Sequence, residues 1–294
     1  MSCTVTMETV TSIAADARPP FRRMVACMVV AAFVFAAAPA PAATYNVMLQ
    51  TNLFGNLDQH SLTPYPTMSC GPASAANAMA YMEAYNPTLY PNLVPGGGYS
   101  GLISLGNTLA GTNYMDTTDS DGTWHDSLIA GDVKYIEGLY PNVTTYAAQD
   151  YWSWSHQTQP SWVTTGTPTW NFLYQDLVDR DAIEILLTYY GGGGHFVSVN
   201  GFSWNDVNDD GIIDSSENAR LYFMNPWTGS ETNVQIWQTG AGTQLKTDYS
   251  SSWISTAFEA SVVPEPSVVT LFLGGAGMMA VSRLCRFRRD RSKT

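Results

Sequence analysis

Basic residues are scarce in the middle of this chain. Between Ala43 and Val263 there are four, Lys134, Arg180, Arg220 and Lys246, against 21 acids, giving that stretch a net charge of −17 within a formal total of −12. So acidic a surface repels a phosphate backbone and excludes nucleic acid as a partner. Cysteine is nearly absent too: of Cys3, Cys27, Cys70 and Cys285, only Cys70 lies in the central stretch. No internal disulfide can form there, so the lone thiol is either buried or used. Disorder of the whole chain is excluded, because all nine Trp lie in the same stretch and 45% of the residues are apolar.

The missing bases are at the two ends. Arg18, Arg22 and Arg23 precede an apolar run from Met24 to Ala38, and Pro39-Ala40-Pro41-Ala42 supplies the small residues of a signal-peptidase site. The run is shorter than the ~20 residues of a membrane span and has no polar face, which predicts an export signal over 1–42. At the far end Pro264-Glu265-Pro266 is followed by an apolar stretch from Val268 to Val281 and then six basic residues between Arg283 and Lys293. This order predicts a short membrane helix over 268–282 with the positive tail on the cytoplasmic side, leaving residues 43–263 outside. Triplet, helix and Arg-rich end together resemble the PEP-CTERM sorting tail, here 264–294. The resemblance implies recognition and removal by an exosortase in a Gram-negative cell that makes extracellular polysaccharide. Export across the inner membrane, a transient C-terminal anchor and release to the cell surface or beyond are the expected itinerary.

Cys70 sits in Met68-Ser69-Cys70-Gly71-Pro72-Ala73-Ser74, which leads into an Ala- and Met-rich run to Met82. Pro72 suits a first helical turn and the run is a strong helix former, so Cys70 is expected at a helix N-terminus. The helix dipole and free N–H groups there predict a lowered thiol pKa. Of the four His, His60, His125 and His156 lie in polar, helix-start or Trp-rich contexts that predict surface positions. His195 differs, because it follows Gly191 to Gly194 and opens the alternating strand His195-Phe196-Val197-Ser198-Val199-Asn200-Gly201-Phe202. Asn225 ends the next strand, with Pro226 enforcing an extended backbone before it. Cys at a helix start, followed by His and Asn on adjacent strands, is the order thiol hydrolases use.

Cys70-Gly71-Pro72-Ala73-Ser74, Gly194 to Phe202 and Asn225-Pro226-Trp227 resemble the papain-like cysteine peptidases, most of all the family related to bacteriocin leader (double-glycine) peptidases. The resemblance covers roughly Ala43 to Trp253. That family usually has Asp where this chain has Asn225, a departure that papain itself shares. The resemblance implies an α+β, papain-like domain over 43–263: an N-terminal helical part, its nucleophile helix packed on a mainly antiparallel sheet carrying His and Asn. It also implies hydrolysis of a peptide or amide bond in a peptide or protein substrate, and an upstream Gln as oxyanion donor. Gln59, 11 residues before Cys70, is the nearest candidate and Gln50 the fallback. The alternative is a non-catalytic cell-surface or biofilm-matrix protein that keeps the fold.

A second motif lies between the His and Asn strands. Asp206-Val207-Asn208-Asp209-Asp210-Gly211-Ile212-Ile213-Asp214-Ser215-Ser216-Glu217 fits the twelve-residue calcium loop at every constrained position. Side-chain oxygens of Asp206, Asn208, Asp210, Asp214 and Glu217 and the carbonyl of Ile212 are the predicted ligands of a structural Ca²⁺. The flanks read as strands, so the loop is expected inside a β-hairpin, where calcium would stabilise the pair of strands bearing His195 and Asn225.

Helical spacing predicts helices over 100–110, 124–139 and 169–179 ahead of a strand at Ala182 to Tyr189, with further strands at 234–237 and 244–246. Trp152, Trp154, Trp162 and Trp170 read more readily as loop or core packing than as an aromatic substrate wall.

Overall fold

The computed structural model describes residues 42–238 and 244–262. The predicted export signal, save Ala42, and the predicted sorting tail with its membrane helix lie outside the described residues. Among the described residues, no helix is long and apolar enough to cross a membrane.

Among the described residues, four α-helices and nine strands make an α+β fold. The helices are α1 (Cys70–Tyr85), α2 (Gly98–Ala110), α3 (His125–Leu139) and α4 (Trp170–Asp179). The strands are β1 (Ala43–Met48), β2 (Thr144–Asp150), β3 (Val163–Thr165), β4 (Ala182–Tyr189), β5 (Gly194–Asp206), β6 (Arg220–Asn225), β7 (Ser230–Gln238), β8 (Leu245–Thr247) and β9 (Ser252–Val262). All pairings are antiparallel except β2 with β3.

Six of the strands close on themselves. β4 pairs with β5, β5 with β6, and so on through β7 and β8 to β9, which pairs back with β4. Two long strands make closure possible. The first half of β5 pairs with β4 and its second half with β1, while β9 meets β8 near its start and β2 further on. In this ring the strands bearing His195 and Asn225 are neighbours, with Ser198 opposite Met224 and Val199 opposite Phe223.

The Cys70 helix packs on this sheet with almost its whole circumference buried, from Gly71 through Met79. Its residues are mostly Ala, Gly and Ser, small enough to lie between α2 on one side and β4 and β5 on the other. Gly71 is required by this closeness, since a Cβ there would stand 2.9 Å from the Thr123 side chain. Polar Asn77 is tolerated inside because its Oδ1 accepts from Leu57 N at 2.8 Å and its Nδ2 donates to Leu57 O at 3.3 Å.

Candidate active site

Cys70 is the first residue of α1; the residue keeps some exposed surface while its thiol is enclosed by protein. The preceding Ser69 turns its hydroxyl to Tyr65 O at 2.7 Å and does not cap the helix. The first-turn N–H groups are therefore not consumed by a side chain, and the backbone N–H groups of Phe196, Gly71 and Cys70 face the sulfur. Phe196 follows His195 directly on β5, so the Cys70 helix and the His195 strand meet at this atom.

His195 is buried, and its Nε2 lies 2.9 Å from Asn225 Oδ1. Local hydrogen bonds fix both the amide and the tautomer. Trp227 N donates to Asn225 Oδ1 at 3.0 Å, while Asn225 Nδ2 donates to the Tyr249 hydroxyl at 3.3 Å. The atom facing the imidazole must then be the oxygen, so His195 Nε2 carries the proton and Nδ1 keeps its lone pair. Tyr249 also stacks on the ring, centroids 5.8 Å apart and planes 11° from parallel.

Burial pushes the Cys70 thiol above its ordinary pKa, and the three backbone N–H groups only partly oppose it. This reverses the expectation from the helix dipole, because removing a thiolate from water costs more here than the helix end returns. Burial likewise lowers the His195 pKa, against the pull of its bond to Asn225. Burial thus favours the neutral form of both side chains.

Gln59 is buried in a short 3₁₀ turn, Gln59–Ser61. Its backbone N–H donates to Pro226 O at 2.8 Å, which ties it to the turn after Asn225. Its Nε2 donates to Pro66 O at 3.2 Å and its Oε1 has no partner. Gln50 is exposed two residues beyond β1 and has no such tie. His60, beside Gln59, meets Trp227 edge-on at 4.6 Å.

His125 is a correction to the sequence reading. It is buried, 6% exposed, with Nδ1 2.6 Å from Asp150 Oδ2. Asp150 also accepts from Trp154 Nε1 at 2.8 Å and Thr256 Oγ1 at 2.9 Å. A helix-start His reads as surface only while its buried carboxylate partner, on a strand 25 residues away, is out of view. His60 and His156 are exposed as expected. Of the four Trp in the aromatic segment, Trp154, Trp162 and Trp170 pack against the core and Trp152 is exposed.

The acidic loop joins β5 to β6, with Asp206 the last residue of β5 and buried. Asp206 accepts from Asp210 N at 3.2 Å and Gly211 N at 2.9 Å, and Glu217 from Val207 N and Asp214 N, both at 3.0 Å. Gly211 has φ +71°, the conformation the sharp turn needs. Among the described residues no three His, Cys, Asp or Glu side chains converge as a metal site. Asp206, Asp210 and Glu217 accept from backbone N–H groups of the loop itself, and Glu217 also from Trp204 Nε1 at 2.9 Å.

Tyr249 had no signal in the sequence, because it sits in a turn between the short β8 and the long β9 and touches His195 only through closure of the ring. No protein-family model matches the chain, and no curated protein matches it.

Proposed function

We propose that this chain is an exported thiol hydrolase, a cysteine peptidase or amidase of papain-like architecture. The observation carrying this reading is that His195, oriented by Asn225 at 2.9 Å, adjoins Phe196, whose N–H faces the Cys70 sulfur. The free Nδ1 takes the thiol proton as sulfur attacks a peptide or amide carbonyl, so the ion pair forms during the step and is not stored beforehand. The imidazolium then gives that proton to the departing amine, and water, deprotonated by His195, releases the acid from the thioester. First-turn N–H groups of α1 and the Gln59 carboxamide are the oxyanion donors in this scheme, an interaction worth about 3 kcal/mol per donor.

Under this proposal the tail from Pro264 is an exosortase substrate, signal peptidase acts after Ala42, and the mature body works at the cell surface or outside it, near secreted polysaccharide. The oxygen set Asp206, Asn208, Asp210, Ile212, Asp214 and Glu217 suits calcium, a hard cation that takes six or more oxygens. Asp206 already ends the His195 strand, so an ion there would brace the β5–β6 hairpin.

The test is alkylation of Cys70 by iodoacetamide, followed by mass spectrometry, alongside release of amines from a peptide library. Catalysis requires that His195→Ala slow alkylation at least tenfold and abolish peptide cleavage. Sluggish labelling indifferent to His195 would leave the non-catalytic surface or matrix protein as the reading.

A further inference from the structure

Directly beneath the nucleophile helix lie two acids that no step above uses. Asp132 on α3 is 1% exposed and Glu184 on β4 is 4% exposed. The two interact directly, yet both Asp132 oxygens and Glu184 Oε2 lack any donor. Two buried carboxylates cannot face each other without repelling, and neither has a proton to offer the other. One proton between them removes both faults, since a carboxyl O–H donates to the facing carboxylate and one of the two charges disappears.

No cation does the same job. On the elements packed around the pair, the basic groups are His125 and Lys134 on α3 and His195 on β5; α1, β4 and β9 have none. His125 is bound to Asp150, Lys134 Nζ to Asn113 O at 2.6 Å, and His195 to Asn225. The acids on those elements, Glu83, Asp126, Glu137, Asp206 and Glu259, would only add negative charge.

The pair is wired to the catalytic elements. The Ser74 hydroxyl, one helical turn after Cys70, lies close enough to Glu184 to favour its ionised form. Ser198, opposite Glu184 in the β4–β5 register, donates to Ser74 O at 2.7 Å, and the two hydroxyls lie 3.1 Å apart. Ser198 is three residues along β5 from His195. One polar cluster thus joins α3, β4, α1 and β5 at the level where the Cys helix crosses the His strand.

We propose that Asp132 and Glu184 share a single proton at neutral pH, and that through Ser74 this pair positions the Cys70 helix on the His195 strand. The sharing stands without the hydrolase reading; only its consequence for catalysis rests on it. Burial raises both acids, so the proton is held at pH 7 and is given up only in more alkaline solution. Loss of it sets two facing charges under the helix and loosens Cys70 from its base.

Infrared difference spectra of the whole folded protein test the proton, and iodoacetamide kinetics test the positioning. The wild type is expected to show a buried carboxylic-acid carbonyl band at pH 7.5 that both Glu184→Gln and Asp132→Asn remove. Glu184→Gln, whose amide donates to Asp132 at any pH, should keep alkylation of Cys70 within threefold of wild type and abolish its decline in His195-dependent rate at alkaline pH. Ser74→Ala, which removes the hydroxyl shared by Glu184 and Ser198 but neither acid, should slow alkylation fivefold or more while retaining the acid band. An acid band unchanged by both acid substitutions overturns the shared proton. A Ser74→Ala variant with wild-type kinetics overturns the positioning. Alkylation in the wild type that ignores His195→Ala refutes the hydrolase reading and leaves the infrared result standing.

Discussion

Replacing Asn225 by Asp puts a carboxylate where an amide oxygen now lies, 2.9 Å from His195 Nε2. The new oxygen can still accept from both Nε2–H and Trp227 N–H, and Tyr249, now facing an acceptor, can donate its hydroxyl proton. The geometry is preserved and only the charge changes. At about 4 Å between charge centres, an effective dielectric constant near 20 gives roughly 4 kcal/mol of attraction for imidazolium. Burying the carboxylate consumes much of this, so a net 1.5 to 3 kcal/mol is a reasonable range, equivalent to raising the His195 pKa by about one to two pH units. Under the proposed Cys70–His195 pairing an imidazolium lowers the thiol in turn, and each pH unit is tenfold in thiolate fraction. Alkylation of Cys70 by iodoacetamide at pH 6.5 should therefore accelerate about 10- to 100-fold, with the midpoint of the rate–pH curve displaced to lower pH. Absorbance of the thiolate in the ultraviolet gives an independent readout. A variant that folds normally, with an unchanged rate–pH curve, would refute the coupling between His195 and Cys70. In the proposed hydrolase scheme peptide turnover does not rise in parallel, because a more stable imidazolium is also a poorer acid toward the departing amine.

Calcium at 100 times its dissociation constant should stabilise the protein by about 2.7 kcal/mol, a rise in Tm of several degrees read by calorimetry, and Asp206→Ala should remove the response. Chelation that changes neither Tm nor Cys70 alkylation would discard the calcium loop. Three further acids, Asp176, Asp181 and Glu259, are pushed up to about 8, about 7 and about 7, chiefly by burial and then by one another or their acidic neighbours. The folded state thus binds protons that the unfolded chain has already released, so stability is greatest below the ordinary carboxylate range and falls as pH rises through 7 to 8. Chemical denaturation across pH 5 to 9 should show that decline, and Glu259→Gln should reduce its slope by about one proton. His125→Ala strips a buried carboxylate of its closest partner and should cost about 3 kcal/mol or more, lowering Tm by roughly 6 to 12 °C and opening the 151–162 loop to proteolysis.

The elements that could be read from the residues share a property: their pattern is local. The strand at Ala182 to Tyr189 agrees with β4 at both ends, and Thr169 caps α4 as its position suggests, accepting from Phe172 N at 3.2 Å. The Cys70 helix, the Asn225 strand end and the hairpin around the acidic loop were likewise visible in a dozen residues each. β9 was not, because Ser252–Val262 is buried on both faces through Ala260 and so shows no alternation, while Ser255, Thr256 and Glu259 make it read as polar. The same blindness hid Asp132 and Glu184, since an acid on a helix or strand looks solvent-facing until the other layer is placed over it. For the thiol, the helix end was legible and the depth was not, and depth decided the direction of its pKa.

The ring of six strands also dictates an order of assembly. Cys70, His195 and Asn225 have all been synthesised by residue 225, yet β4 still has one bare edge, which only β9 covers, some 70 residues later in the chain. Tyr249, which stacks on His195, arrives just ahead of that last strand. A nascent or truncated chain lacking Ser252–Val262 therefore holds Cys70, His195 and Asn225 in an unclosed sheet, and their final arrangement waits for the last strand.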